Sequence, residues 1–189
     1  MIVIAYIILA FTLIQFLVAL VNLVSECHLP DAGFRNGPLV SVLIPARDEE
    51  SKISHLLDDI TGQEYPDYEV FVLDDDSKDR TAAIVSEFSS RNPRIRLVRS
   101  EGLPEGWIGK NHACHSLSEF AKGEYLLFLD ADVRISGNLI GNSVAFAKKN
   151  GTGLVSIFPE QIIRSFGERI TVPNMNYILV SLLPLLLVR

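Results

Sequence analysis

The chain has 189 residues, 48 % of them hydrophobic and 21 % charged, with a formal charge of −6 and two cysteines. A mean hydropathy of +0.27 is too high for a disordered chain, and a pI near 5.2 argues against a nucleic-acid binder, which needs a basic face. The length fits one domain of ordinary size, and Cys27 and Cys114 are too few for a disulfide framework, as in a reduced, cytosol-facing domain.

Residues 2–24 (IVIAYIILAFTLIQFLVALVNLV) hold no charge, and only Thr12, Gln15 and Asn22 are clearly polar. As a helix this segment rises roughly 35 Å, enough to cross a hydrocarbon core of about 30 Å. A cleavable signal peptide is the competing reading. It needs a basic start, a shorter apolar core and a small-residue cleavage site, and no Lys or Arg precedes Arg35. An uncleaved transmembrane anchor is therefore expected. Glu26, Asp31 and Arg35 leave its orientation almost unmarked. Residues 25–38, with Pro30, Asp31, Gly33, Asn36, Gly37 and Pro38, read as a linker.

Strands and helices then alternate. LVSVLIP (39–45) is an apolar run of strand length, and Ile53, Leu56, Leu57 and Ile60 form one helical face over 49–62. EVFVLD (69–74) is a second strand, 79–91 a helix, IRLVR (95–99) a third strand and 110–122 a helix. YLLFLD (125–130) is a strand, 137–149 a helix and GLVSIF (153–158) another strand. Such alternation predicts an α/β domain with a mostly parallel sheet flanked by helices. NYILVSLLPLLLV (176–188) is apolar but too short to span a bilayer. Residues 171–189 are therefore read as an interfacial segment, or the start of a span in a chain that ends early.

Three polar clusters follow strands, where open α/β sheets bind ligands: Pro45 to Glu50, Asp74 to Ser77, and Asp130-Ala131-Asp132. Asp76 or Ser77 suits the cap of the helix near 79–91, but capping needs one such residue rather than three carboxylates in a row. In an extended segment Asp130 and Asp132 project to the same side, where both can approach one Mg²⁺ or Mn²⁺ completed by substrate phosphates. No glycine-rich dinucleotide or Walker loop occurs. His112, Cys114 and His115 fall within one helical turn with no second ligand pair, which does not make a closed zinc site.

VSVLIPARDEE, FVLDDDSKDRTA and YLLFLDADV, in that order and spacing, resemble the nucleotide-sugar half of family 2 glycosyltransferases of the GT-A fold. The stretch 103–133, with Gly106-Trp107-Ile108-Gly109-Lys110, is similar to a membrane-anchored branch associated with carotenoid-acid and hopanoid pathways, as is VSIFPEQIIRSFGERITVP (155–173). The resemblance makes residues 39–170 an incomplete donor-binding domain. It implies that Pro45, Arg47 and Glu49 line the nucleoside pocket, although an aromatic often stands where Arg47 does. Asp75 takes a hydrogen bond from base or ribose, Asp130 lies near donor sugar and ribose, and Asp132 holds the metal. Lys110 lends charge to the diphosphate, or is a solvated surface lysine; Trp107 is packing or an acceptor contact.

The implied function is transfer of a sugar, from a UDP-sugar, to a lipid or isoprenoid acceptor with inversion, assisted by Mg²⁺ or Mn²⁺. The donor supply puts the domain on the cytosolic side of the cell membrane, with no nucleic-acid partner. The family's general base, an Asp in a later acidic motif, has no match: Glu160 and Glu168 are the only late acids. No catalytic residue is therefore assigned. The alternative is a truncated, inactive membrane-anchored protein that binds nucleotide or a partner. A sugar nucleotidyltransferase lacks support, because VSVLIPARDEE stands where that class has a glycine-rich, arginine-containing loop.

Overall fold

The computed structural model describes residues 1–24, 29, 31, 36–157 and 159–184. Cys27, most of the expected linker, Phe158 and residues 185–189 lie outside the described residues. In chain order the elements are α1 (Ile2–Val24), β1 (Val40–Ala46), α2 (Ile53–Thr61), β2 (Tyr68–Asp74), α3 (Thr81–Arg91), β3 (Ile95–Arg99), α4 (Gly109–Phe120), β4 (Tyr125–Phe128), α5 (Leu139–Asn150) and α6 (Phe166–Leu182). They divide into two compact units, residues 30–146 and residues 1–29 with 147–189.

In the larger unit the four strands form one parallel sheet in the order β3-β2-β1-β4. β1 and β2 are apolar nearly throughout because helices cover both faces. Side chains alternate between those faces. Val42, Ile44, Val70 and Val72 pack with Ile53, Leu56, Leu57 and Ile60 of α2, Val85 of α3, and Ile140 and Val144 of α5. Leu43, Phe71 and Leu73 point the other way, onto Ala113 and Leu117 of α4. The chain winds outward from β1 to β3, then returns across the opposite face to place β4 on β1's free side. That reversal opens a crevice at the carboxyl ends of β1 and β4.

A polar knot fixes the opposite ends of these strands. Glu69, only 8 % exposed in β2, accepts from the Ser41 hydroxyl and the Lys122 backbone N–H, each at 2.8 Å. Ser41 Oγ in turn accepts from Gly123 N–H at 2.8 Å. Burying a carboxylate this way is tolerable because its oxygen is hydrogen-bonded.

The expected strand over 153–158 is not found: described residues 153–157 are irregular, and Leu154 is 86 % exposed. Strand propensity needs a paired edge and a face to bury. These residues join no ladder of the described sheet. Helix starts also differ from the expected ones. α2 begins at Ile53 and α3 at Thr81, because 49–52 and 75–80 form loops that hydrogen-bond each other.

In the smaller unit α1 is a 23-residue helix, long and apolar enough to cross a membrane. Two of its polar residues find partners. Thr12 Oγ1 donates to Ile8 O at 2.9 Å, and Asn22 Nδ2 donates to Val180 O and Leu183 O at 2.7 and 2.8 Å. α6 opens with a capping box, Ser165 Oγ accepting from Glu168 N–H while the Glu168 carboxylate accepts from Ser165 N–H.

Candidate functional site

A cavity of about 470 Å³ lies at the carboxyl ends of β1, β2 and β4. Its walls include Pro45, Arg47 and Glu49 after β1, Asp75 after β2, Lys110 of α4, and Asp130 and Asp132 after β4. All seven residues picked out in the sequence thus meet at one cavity. Parallel pairing makes this so: Ala46 is in register with Asp74, and Leu43 with Phe128, so the three loops leave the sheet side by side.

The reasons for individual placements differ from those expected. β4 stops at Phe128, and Val133 N–H donates to Asp130 O at 3.3 Å, so Asp130-Ala131-Asp132 is a turn and not an extended segment. Both carboxylates still line the cavity, with Ala131 tucked into the core at 4 % exposure. Arg134 locks that turn from behind. Its Nε and Nη2 donate to the two carboxylate oxygens of Asp59 on α2, at 2.6 and 2.8 Å.

The carboxylates after β2 serve three purposes. Asp74 is nearly buried and accepts from Ser77 N–H at 3.4 Å. Asp75 faces the cavity, and exposed Asp76 pairs with Lys78 at 2.7 Å. Neither Asp76 nor Ser77 caps α3, contrary to the expectation. Asp79 does the nearest equivalent, accepting from Thr81 N–H at 2.9 Å, because the helix starts two residues later than its pattern suggests.

Basic groups answer the acids around the cavity. Arg47 Nη1 is 3.7 Å from Asp75 Oδ2, and Lys110 Nζ donates to Asp130 Oδ1 at 2.5 Å. That hydrogen bond holds the Lys110 pKa above its usual value. Burial pushes the Cys114 thiol up, so it stays neutral near pH 7. His112 and His115 pack on Trp107, His115 stacked at 5.1 Å between ring centroids and His112 edge-on at 5.5 Å.

Three contributors escaped the sequence reading. The first turn of α4 opens on the cavity at Gly109 and Lys110, and no side chain caps it. A helix N-terminus there favours an anion. Arg99, at the end of β3, lines a neighbouring cavity of about 480 Å³ that shares Arg47 and Asp75. The rule that ligands gather at strand carboxyl ends could have flagged it. Lys52 sits at the N-cap of α2, with Nζ 3.6 Å from Glu49 and 3.5 Å from Asp132. A cation at the positive end of a helix was the overlooked signal.

Asp130 and Asp132 are half-exposed hard-oxygen donors on one cavity wall. Among the described residues no three His, Cys, Asp or Glu gather into a fuller ligand set. Two carboxylates fit Mg²⁺ or Mn²⁺ when phosphate and water oxygens complete the shell.

Known proteins resemble this chain in sequence and fold. The chain is 33 % identical over 126 residues to the 4,4'-diaponeurosporenoate glycosyltransferase of Staphylococcus haemolyticus, a match covering 66 % of this chain and 32 % of the relative. It is 29 % identical over 122 residues to the beta-monoglucosyldiacylglycerol synthase of Trichormus variabilis, covering 64 % of this chain and 26 % of that one. The matches thus take in about a third or less of each relative's length. Among solved structures, the mannosyltransferase PcManGT of Pyrobaculum calidifontis, in complex with GDP-Man and Mn²⁺, superposes with a TM-score of 0.56 at 27 % identity. That superposition covers 74 % of this chain and 42 % of the other. The family model for glycosyl transferase family 2 matches residues 41–183, which span the whole cavity, and the chain belongs to that family.

Proposed function

We propose that this chain carries the donor half of a membrane-anchored glycosyltransferase that takes a sugar from a UDP-sugar and delivers it, with inversion, to a lipid-type acceptor. The observation that carries the reading is the meeting of Pro45, Arg47, Glu49, Asp75, Lys110, Asp130 and Asp132 at one cavity. Asp75 and Arg47, shared by the two neighbouring cavities, address the nucleoside. Lys110 and the uncapped first turn of α4 face the diphosphate. Negative charge grows on that diphosphate as it departs, and groups already aimed at it stabilise the transition state without reorganising. Held by Asp130 and Asp132, a divalent cation would add Lewis-acid charge stabilisation there.

Support for the lipid acceptor comes from α1, a helix fit to anchor the chain where such an acceptor resides, and from the diacylglycerol in one relative's name. The donor supply argues for a cytosolic domain. Competition between labelled UDP and unlabelled UDP, GDP or ADP on the detergent-solubilised chain tests the donor class. Displacement by UDP in preference to the purine nucleotides is expected. Preference for GDP would redirect the reading to a GDP-sugar, and no displacement by any of the three would end it. Retention of the chain in the membrane pellet after alkaline carbonate washing is expected as well; release would remove the anchor.

A further inference from the structure

Lys52 stands at the edge of the donor site without lining its cavity. It ends the β1–α2 loop at the N-cap of α2, where the helix dipole disfavours a positive charge. What holds it is a pair of acids: Glu49 Oε2 at 3.6 Å and Asp132 Oδ2 at 3.5 Å. Across the same turn, Lys110 Nζ lies 2.5 Å from Asp130 Oδ1. Each carboxylate suited to a divalent cation therefore already faces an ammonium group, one from the N-cap of α2 and the other from α4. All four side chains are about half-exposed, so these pairs can exchange.

We propose that Lys52 and Lys110 are displaceable counter-ions that make cation and diphosphate bind as a coupled pair. Resting on the donor reading above, the proposal adds Lys52 as a positioning residue for it. A cation arriving alone must either displace the lysines or sit beside them, and like charges at such distances repel. Neither lysine then has a new partner. A diphosphate arriving with the cation supplies that partner, so the ammonium groups move from carboxylate to phosphate as the cation takes the carboxylates. Each ligand thereby raises the affinity of the other, and the coupling is reciprocal.

The test is titration of Mn²⁺ onto the detergent-solubilised 189-residue chain, with free Mn²⁺ read by its paramagnetic resonance signal, in the absence and presence of UDP. For the natural chain, Mn²⁺ alone should bind weakly and UDP should tighten it. Lys52→Met should tighten Mn²⁺ alone by about three- to tenfold, as removal of a half-screened like charge implies. It should also shrink the factor by which UDP tightens Mn²⁺, whereas Lys52→Arg, which keeps the charge, should stay near the natural chain. If Lys52→Met proves unfolded by circular dichroism, Lys52→Gln takes its place with the same expectation. An unchanged Mn²⁺ affinity and an unchanged UDP factor in the neutral variant would overturn the proposal and leave the donor site intact. Failure of the natural chain to bind Mn²⁺ even with UDP would instead overturn the metal-assisted donor reading, and the proposal with it.

Discussion

The hydroxyl of Thr81 accepts a hydrogen bond from the backbone N–H of Glu49 at 2.8 Å, so the first residue of α3 holds the loop that forms one wall of the cavity. The link is one of several. Asp48 N–H donates to Ser77 Oγ at 3.0 Å and its carboxylate accepts from Lys78 N–H at 2.7 Å. Glu50 N–H donates to Asp79 Oδ2 at 3.0 Å, while its carboxylate accepts from Arg80 N–H at 2.9 Å. The clasp pins Asp48, whose φ of 54° is left-handed backbone that aspartate tolerates better than most non-glycine residues.

Thr81→Val keeps the shape and removes the acceptor. Because Thr81 is fully buried, the unmet Glu49 N–H should cost about 1–3 kcal/mol of stability. Nucleotide affinity should fall as well, since Arg47 and Glu49 lose their fixed loop. Thr81→Ser should restore both. Denaturant unfolding together with UDP binding on the three chains checks this, and an unaltered affinity in Thr81→Val would show that the clasp does not position the wall.

The clasp also marks where sequence reading reaches its limit. Strands and helix faces were legible because burial marks the chain. β1 and β2 are apolar runs, with Val42, Ile44, Val70 and Val72 facing one helical layer and Leu43, Phe71 and Leu73 the other, and α2 repeats its buried residues at helical spacing. The clusters from Pro45 to Glu50, at Asp75 and at Asp130 and Asp132 were legible because acids and turn residues directly after apolar strands have few structural uses, whereas Lys110 was picked out through the family resemblance. Lys52 was not, since a cation at a helix start is a faint local signal and its meaning lies in a 3.5 Å approach to Asp132, eighty positions away. The segment 153–157 misled for the same reason in reverse: its apolar residues satisfy a strand pattern, but pairing depends on an edge elsewhere in the fold.

Asp59 supplies an acid-sensitive strut behind the cavity-facing turn at Asp130 to Asp132. Its hydrogen bond to Arg134, with further help from Ile135 N–H at 3.1 Å, holds its pKa below the usual 3.8. A group whose folded-state pKa is depressed stabilises the fold above its unfolded value and loses that contribution as pH falls through the folded one. Asp59→Asn should therefore melt below the natural chain at pH 7, with the gap narrowing once the pH drops under about 4. Thermal melts between pH 7 and pH 3 measure it. A gap that stays constant with pH would mean that the ionised carboxylate is not what stabilises the turn.

Gly123 joins α4 to β4 where no side chain fits. A β-carbon there would come within 2.5 Å of Ser41 N and 2.8 Å of Leu39 O, both backbone atoms where β1 begins. Gly123→Ala should cost about 1–3 kcal/mol or more, because relief requires β4 to draw away from β1. Loss of protection at Glu124 and Leu129, whose N–H groups donate to Leu39 O and Leu43 O, should accompany it in hydrogen exchange. Unchanged stability would show that the junction has slack the structure does not reveal.

The central claim, a nucleoside-diphosphate site completed by a cation, is tested most directly by calorimetry of UDP binding to the detergent-solubilised chain in MnCl₂ and in EDTA. The account predicts binding that EDTA weakens. Asp132→Ala should abolish the difference between the two conditions, because the cation loses one of its two carboxylates. Asp75→Ala should weaken UDP in both conditions, because its partner is the nucleoside. UDP binding that is indifferent to EDTA and to both substitutions would contradict the account.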